Sequence, residues 1–131
     1  MRKILLLALG ALIALQALAR DFTYEYEGQT LSYTVINEEA KTCQLKRVNN
    51  IIGSLIIPSV AKDGDTEYTV IRIPNSAFVQ NSNLTSVVIP NTVTSIGYSA
   101  FFKCSALTSI EIGNSVTSIG EYAFEFCSAL T

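Results

Sequence analysis

The chain has 131 residues, with 9 basic and 11 acidic side chains, three cysteines and no histidine. Without histidine there is no Ser-His-Asp or Cys-His catalytic arrangement and no imidazole ligand for zinc. The slight negative charge disfavours nucleic acid and anionic membranes as partners, because both select clustered Lys and Arg. The sequence also has no glycine-rich phosphate loop, so we predict no catalytic, metal-binding or cofactor-binding residue and no enzymatic activity.

The first 19 residues have the layout of a secretory signal peptide. Arg2 and Lys3 precede an apolar run from Ile4 to Leu18, and Ala17-Leu18-Ala19 gives a small-x-small cleavage pattern. We predict cleavage after Ala19 and export to the cell surface or medium. The alternative is an uncleaved membrane anchor, but the run is shorter than the ~20 apolar residues of a spanning helix. The mature chain, residues 20–131, would carry 7 basic and 11 acidic side chains, a net charge of −4, and is not predicted to insert into a membrane.

Residues 20–53 are predicted to form an N-terminal β cap. Apolar and polar residues alternate from Phe22 to Tyr26 and from Leu31 to Val35, and Cys43 with Leu45 indicates a third strand. This spacing predicts a small antiparallel meander over residues 22–48, which would cover the apolar end of the first repeat. A separate binding module is the alternative for this segment.

The rest of the chain is repetitive. Residues 84–106 and 107–129 align without gaps over 23 positions, of which 15 are identical. Residues 54–83 form a degenerate first repeat with an insertion at 61–69, and 130–131 begin a further copy. Such a period predicts a solenoid whose coils bury their apolar sides against one another. Within the insertion, residues 63–67 superficially resemble a calcium loop, but an incomplete ligand series favours a solvated hairpin tip.

Each repeat has the same predicted course. Leu84, Val87 and Ile89 follow the L-x-x-L-x-L spacing of a leucine-rich repeat strand, and a second short extended stretch ends at Ile96. A glycine turn then leads to a short helical turn that would bury Phe101 and its counterpart in the next repeat. The predicted fold class is a repeat solenoid, mostly β with short helical turns: a leucine-rich repeat array of 23-residue period with an N-terminal antiparallel β cap.

The cysteines are predicted to be free thiols. Cys104 and Cys127 share one repeat position, at which the first repeat has Asn81. A disulfide between adjacent coils is the alternative, but it needs Cβ atoms about 3.8 Å apart, closer than the ~4.7–4.9 Å spacing of neighbouring strands. We therefore expect buried thiols that fill the core.

Positions that differ between the two good repeats are predicted to point outward, because the identical ones build the core. Two of them fall on the strand and four near the turns. Exposed aromatic residues suit contact with protein or glycan, although they could equally fill the space between coils. The candidate binding surface comprises Val88, Glu111, Tyr98, Phe102, Tyr122 and Phe126.

The repeat pattern LTSIxIPxxVTSIGxxAFxxCxxLT resembles the BspA-type leucine-rich repeat, common in surface proteins of host-associated bacteria and some protists. Residues 22–83 resemble the segment that often precedes such arrays, ending in YTVIRIPNSAF at 68–78. Gly113 replaces the usual proline. The resemblance implies a secreted or cell-surface protein that adheres to host or neighbouring-cell macromolecules, including matrix proteins such as fibronectin.

Two alternatives stay open. The array could bind glycan or serve as a structural scaffold of the cell envelope, or it could be the non-catalytic part of a longer protein with another domain downstream. Residue 131 falls two residues into another repeat, with no polar cap after Cys127. We therefore expect the chain to be the N-terminal fragment of a longer array.

Overall fold

The structure is a computed structural model that describes residues 20–131. The predicted signal peptide and its cleavage site involve residues 1–19 and so lie outside the described part. No helix in the described residues is long and apolar enough to cross a membrane.

Within residues 20–131, ten strands form two sheets. Six strands of the larger, seven-stranded sheet run in the order β1-β2-β3-β6-β8-β10, and its seventh, β5, pairs with β6. The smaller sheet has the order β4-β7-β9. The strands are β1 (Arg20–Tyr26), β2 (Gln29–Asn37), β3 (Thr42–Leu45), β4 (Gly53–Ile56), β5 (Val60–Asp63), β6 (Thr66–Ile73), β7 (Leu84–Ile89), β8 (Ser95–Ile96), β9 (Ser109–Ile112) and β10 (Ser118–Ile119).

Each repeat contributes one strand to each sheet, and corresponding strands stack in parallel. Val87 pairs with Ile110 in the smaller sheet, and Ile96 pairs with Ile119 in the larger one. The inward residues of β7, Leu84, Val87 and Ile89, are all buried, as the leucine-rich repeat spacing predicts. A mostly β repeat solenoid is therefore the fold of this chain.

The N-terminal segment is an antiparallel meander of β1, β2 and β3. Its alternating apolar residues form a core in which Phe22 stacks on Tyr33 with ring centroids 5.4 Å apart. β3 then pairs in parallel with β6, where Cys43 lies opposite Val70. The meander thus continues the larger sheet directly; its role as a cap for the first coil stays a prediction.

The insertion is a hairpin of β5 and β6, in which Asp63 pairs with Thr66 across a two-residue turn. Gly64 has a φ of 60°, a conformation that glycine adopts without steric cost. No group of three or more Cys, Asp or Glu side chains within residues 20–131 is arranged to hold a metal ion. The acidic segment is a hairpin turn, as predicted.

A polar cluster joins this hairpin to the meander. The Arg20 guanidinium forms an ion pair with Asp63 and donates a hydrogen bond to Tyr68 Oη at 2.6 Å. The Tyr68 hydroxyl in turn donates to Glu38 at 2.8 Å. The hydrogen bond from Tyr68 and the charge of Arg20 lower the pKa of Glu38, and burial opposes them. The cluster therefore favours the ionised form of Glu38.

The prediction of short helical turns is wrong in one respect: the segments after β8 and β10 are turns without helix. A helix would direct each N–H to the carbonyl four residues earlier. Here alternate N–H groups bond to the next coil instead. The donors Ser99, Phe101 and Lys103 reach the carbonyls of Glu121, Ala123 and Glu125 at 2.8–2.9 Å. Ser99 and Lys103 have φ values of 53° and 60°, which place their peptide groups for these bonds and exclude helix.

The turns enclose a stack of phenylalanine rings. Phe78 lies 4.9 Å from Phe101 between ring centroids, with 10° between planes, and Phe101 lies 5.4 Å from Phe124 with 6° between planes. Phe78 and Phe101 are fully buried. The rings of three successive coils therefore form one continuous apolar column.

Asn81, Cys104 and Cys127 occupy the next inward position of each turn, where they meet different neighbours. Asn81 Oδ1 accepts a hydrogen bond from the Ile51 N–H at 2.9 Å, and its Nδ2 donates to the Val48 carbonyl at 2.8 Å. The two thiols lie against the preceding coil, with Sγ 3.1 Å and 3.0 Å from the carbonyl oxygens of Phe78 and Phe101 respectively. Asn81 thus provides hydrogen-bond partners for two backbone groups of the irregular loop between β3 and β4. In the later coils, the thiol at this position packs against a regular turn instead.

All three cysteines are free and buried, as predicted. Burial raises the pKa of Cys43 and of Cys104 to about 12, and it also raises the pKa of Cys127. Because the thiolate is the reactive form, we expect slow labelling of the native protein by a disulfide reagent at pH 8. Denaturation without reductant should release three titratable thiols. A reduced, denatured sample gives the reference count, and finding a single thiol would contradict the free-thiol assignment.

Candidate binding surface

Four aromatic side chains, three exposed and one half-buried, lie on the outside of the turns after β8 and β10. They form two edge-to-face pairs: Tyr98 with Tyr122, at 5.5 Å between centroids, and Phe102 with Phe126, also at 5.5 Å. The residues between Tyr98 and Phe102, which include Ala100 and Phe101, are buried in the core. We call Tyr98, Phe102, Tyr122 and Phe126 the aromatic face.

The aromatic face is both packed and accessible. Each pair joins two successive coils, which matches the alternative that these residues fill space between coils. Yet Tyr98 is 48% exposed, Tyr122 50% and Phe126 61%, and Phe102 is half-buried. Edge-to-face contacts of this kind hold rings in fixed positions, so a partner would meet a preformed surface.

One cation lies on the aromatic face. The Lys103 ammonium is 5.4 Å from the centroid of Phe102 and 5.8 Å from that of Phe126, within cation–π distance of both rings. Glu121 and Glu125 are exposed on the same turn of the last described coil. The face therefore combines flat apolar area with charges of both signs at its margin.

The other two candidate residues lie elsewhere. Val88 and Glu111 are partners on β7 and β9 of the smaller sheet, and Ile56 of β4 is the partner of Val88 on its other side. Glu111 is exposed and Val88 half-buried, whereas Ile56 is 43% exposed. The six candidates thus form two groups, the aromatic face on the turns and a row across the smaller sheet.

The structure also contains a groove that the sequence interpretation missed. It lies over the larger sheet, with a volume of about 560 Å³. In-register residues of four neighbouring strands run along one side, and residues of the following turns, Asn75 and Tyr98 among them, form the other. The strand residues are Gln44, Arg72, Ser95 and Ser118.

Two glycines shape the turn side of this groove. A Cβ atom on Gly97 would lie 2.5 Å from the Asn75 amide nitrogen, and one on Gly120 would lie 2.4 Å from that of Tyr98. Both distances are far inside van der Waals contact, so only glycine lets the coils approach this closely. Asn75 Oδ1 accepts a hydrogen bond from the Tyr98 N–H at 2.9 Å, which fixes the backbone that carries the Tyr98 ring.

Arg72 is the charged residue of the groove. It is exposed, and its Nη1 donates to Gln44 Oε1 at 3.3 Å. The sequence does carry a signal for this residue: the degenerate first repeat has Arg72 where the two later repeats have Ser95 and Ser118. Comparing only the two good repeats could not reveal this difference.

Residues 65–131 match the model of the BspA type leucine rich repeat region in six copies. None of the curated proteins compared with the chain matches it.

Several solved structures are similar. A leucine rich cell surface protein from Faecalibacterium prausnitzii has a TM-score of 0.68 and 31% identity, over 84% of this chain and 29% of its own. A leucine-rich repeat protein from Bacteroides capillosus has a TM-score of 0.71 and 28% identity, over 83% of this chain and 78% of its own. A leucine-rich repeat protein from Bacteroides ovatus has a TM-score of 0.68 and 33% identity, over 82% of this chain and 28% of its own. The chain thus spans less than a third of the length of the first and last of these proteins.

Proposed function

Because the chain belongs to the BspA type leucine-rich repeat family, we propose that it is an exported bacterial surface protein that adheres to a host or neighbouring-cell protein. The family is one of bacterial surface proteins built as interaction scaffolds. Export, adhesion and contact through the aromatic face are proposed for this chain. The layout of residues 1–19 supports export.

The observation that carries this proposal is the exposure of paired aromatic rings on adjacent coils. Aromatic side chains contribute most of the binding energy at many protein interfaces, since they bury a large area with few rotatable bonds. On the aromatic face, Tyr98 and Tyr122 are about half exposed although each already contacts the other. Their positions are fixed before binding, which lowers the entropic cost of association.

The geometry of the solenoid favours a partner that is extended along the array. Coils repeat the same turn at a spacing of ~4.7–4.9 Å, so each further coil lengthens the surface without changing its width. A partner would therefore gain affinity through many weak contacts rather than one deep pocket. The row of Ile56, Val88 and Glu111 on the smaller sheet would offer a second strip of the same kind.

We expect the double substitution Phe102→Ala and Phe126→Ala to weaken binding to immobilised matrix proteins, fibronectin included, by at least ~10-fold. The physical reason is that two truncated interface aromatics typically cost ~1–2 kcal/mol each. Surface plasmon resonance with the full exported chain would measure the change in affinity. Tyr26→Ala is the matched control, because Tyr26 stacks on Tyr24 in the meander, away from the aromatic face.

Thermal unfolding of each variant must accompany the binding data, since Phe102 is half-buried. Binding that survives the double substitution in a folded variant would exclude the aromatic face. Binding that disappears once the targets are deglycosylated would instead support the glycan alternative.

A further inference from the structure

The groove over the larger sheet combines a cation, an aromatic ring and several small polar groups. Arg72 is exposed in its lining. Among residues 20–131 it forms no ion pair, like Arg47 and Lys103 and unlike the four basic residues Arg20, Lys41, Lys46 and Lys62. A guanidinium offers five N–H donors in a planar fork that matches a carboxylate. Since Gln44 occupies only one donor of Arg72, at 3.3 Å, the remaining donors are available to an anion.

The other groups in the groove suit a sugar. Ser95 and Ser118 supply hydroxyls and Gln44 an amide, and each of these can both donate and accept hydrogen bonds, as sugar hydroxyls do. Tyr98, 48% exposed, lines the opposite side, and its ring offers a flat apolar surface. A pyranose has an apolar C–H face that can lie on such a ring while its hydroxyls face the serines.

A peptide fits this groove less well. Strand addition needs an open sheet edge. In the described residues the open edge at this groove is β10, whereas Arg72 lies two strands away on β6, which pairs with β3 and β8. Specific peptide binding also needs pockets for side chains. Ile73 and Ile96 are buried beneath the ladder, and Ile119, 50% exposed, adds apolar surface only at the last described coil. The row of polar side chains opposite a single aromatic residue favours a carbohydrate.

We propose that this groove binds an acidic sugar, with the carboxylate of a uronic-acid-type pyranose paired to Arg72 and the ring stacked on Tyr98. This site is distinct from protein contact at the aromatic face, although Tyr98 lies at the border of both. The sugar could be a free uronate or a residue within a polysaccharide. Both sources present the same carboxylate and ring.

Calorimetric titration of the full exported chain tests this site. The probes are galacturonate, tetragalacturonate, neutral maltotetraose and a poly-glutamate peptide. We expect saturable binding of tetragalacturonate and none of maltotetraose. Binding of galacturonate alone at similar affinity would identify a free sugar as the ligand, and binding only of the oligomer would identify a polysaccharide.

The variants assign the contacts. Arg72→Ala should weaken tetragalacturonate binding by ~10–100-fold, the range for losing a charge-assisted pair, and Arg72→Lys should recover part of it. Tyr98→Ala should weaken binding as well. Two variants should leave it unchanged: Arg47→Ala, which removes another exposed arginine, and Phe126→Ala, which alters only the aromatic face. Melting temperatures confirm that each variant is folded.

Three results would overturn the proposal. The first is no saturable binding of either acidic sugar. The second is equal loss with Arg47→Ala, which would indicate general attraction of polyanions. The third is binding of poly-glutamate through Arg72 at comparable affinity, which would make an acidic peptide the partner. If the groove binds no acidic sugar, the proposal of protein binding at the aromatic face still stands, because Phe102 and Phe126 are not part of the groove.

Discussion

Replacing Phe101 by Ala is expected to lower the free energy of unfolding by about 3–5 kcal/mol. Phe101 is fully buried and is the middle ring of the column, stacked on Phe78 and Phe124 at 4.9 and 5.4 Å. Its loss removes apolar burial and opens a cavity that both neighbouring coils line. Because each coil depends on the ones beside it, the turns cannot easily collapse into the gap. Urea denaturation followed by circular dichroism would measure the change.

The adjacent residue provides the matched control. Phe102 has the same side chain but lies half-buried on the outside of the turn, so Phe102→Ala should cost about 1 kcal/mol or less. Phe101→Leu should fall between the two, since it keeps part of the volume. Equal losses for Phe101→Ala and Phe102→Ala would contradict the inward and outward assignment of this turn.

Replacing Asn81 by Ala is expected to cost about 2–4 kcal/mol. The Asn81 side chain is only 3% exposed and serves two part-buried backbone groups, the Ile51 N–H and the Val48 carbonyl. Leaving a buried backbone group without a partner costs about 1–3 kcal/mol each. The substitution should therefore loosen the segment that joins the meander to the first coil, which hydrogen exchange at Ile51 would report directly.

Asn81→Cys is the informative companion variant, because it introduces the residue found at the same position in later coils. We expect it to remain destabilising, by about 1–3 kcal/mol, since a thiol is a weak donor and acceptor and cannot serve both groups. Asn83→Ala, at an exposed position nearby, should stay within about 0.5 kcal/mol of the original chain. A fully stable Asn81→Cys protein would show that the two hydrogen bonds matter little.

The repeat made most of the fold predictable. Identity at fixed spacing showed which residues of β7 face inward, and period-two alternation indicated the strands of the meander. The helical turns were predicted from the spacing of Phe101 and Cys104, which fits a helix face locally. What decided the backbone was hydrogen bonding to the next coil, together with positive φ at Ser99 and Lys103. Neither residue type signals that conformation.

The candidate surfaces were predictable only in part. Comparison of the two good repeats identified the variable positions, and the structure places four of them on one face. The comparison of the two good repeats could not indicate the groove, because Gln44 comes from the meander and Arg72 from the degenerate coil. Their proximity depends on the parallel pairing of β3 with β6, a contact between distant segments that no periodicity in the sequence encodes.

The hydrogen bonds between coils also affect how this chain can change over generations. They join backbone atoms of successive coils, as in the strand pairing of Ser86 with Ser109, 23 positions apart, so they depend on register more than on side-chain identity. Gaining or losing one whole coil would restore every such bond with the next neighbour. A single inserted residue within a strand would displace all the pairs after it. Duplication or deletion of the DNA that encodes a whole coil is therefore the mutational route by which such a solenoid can change its length while keeping its fold.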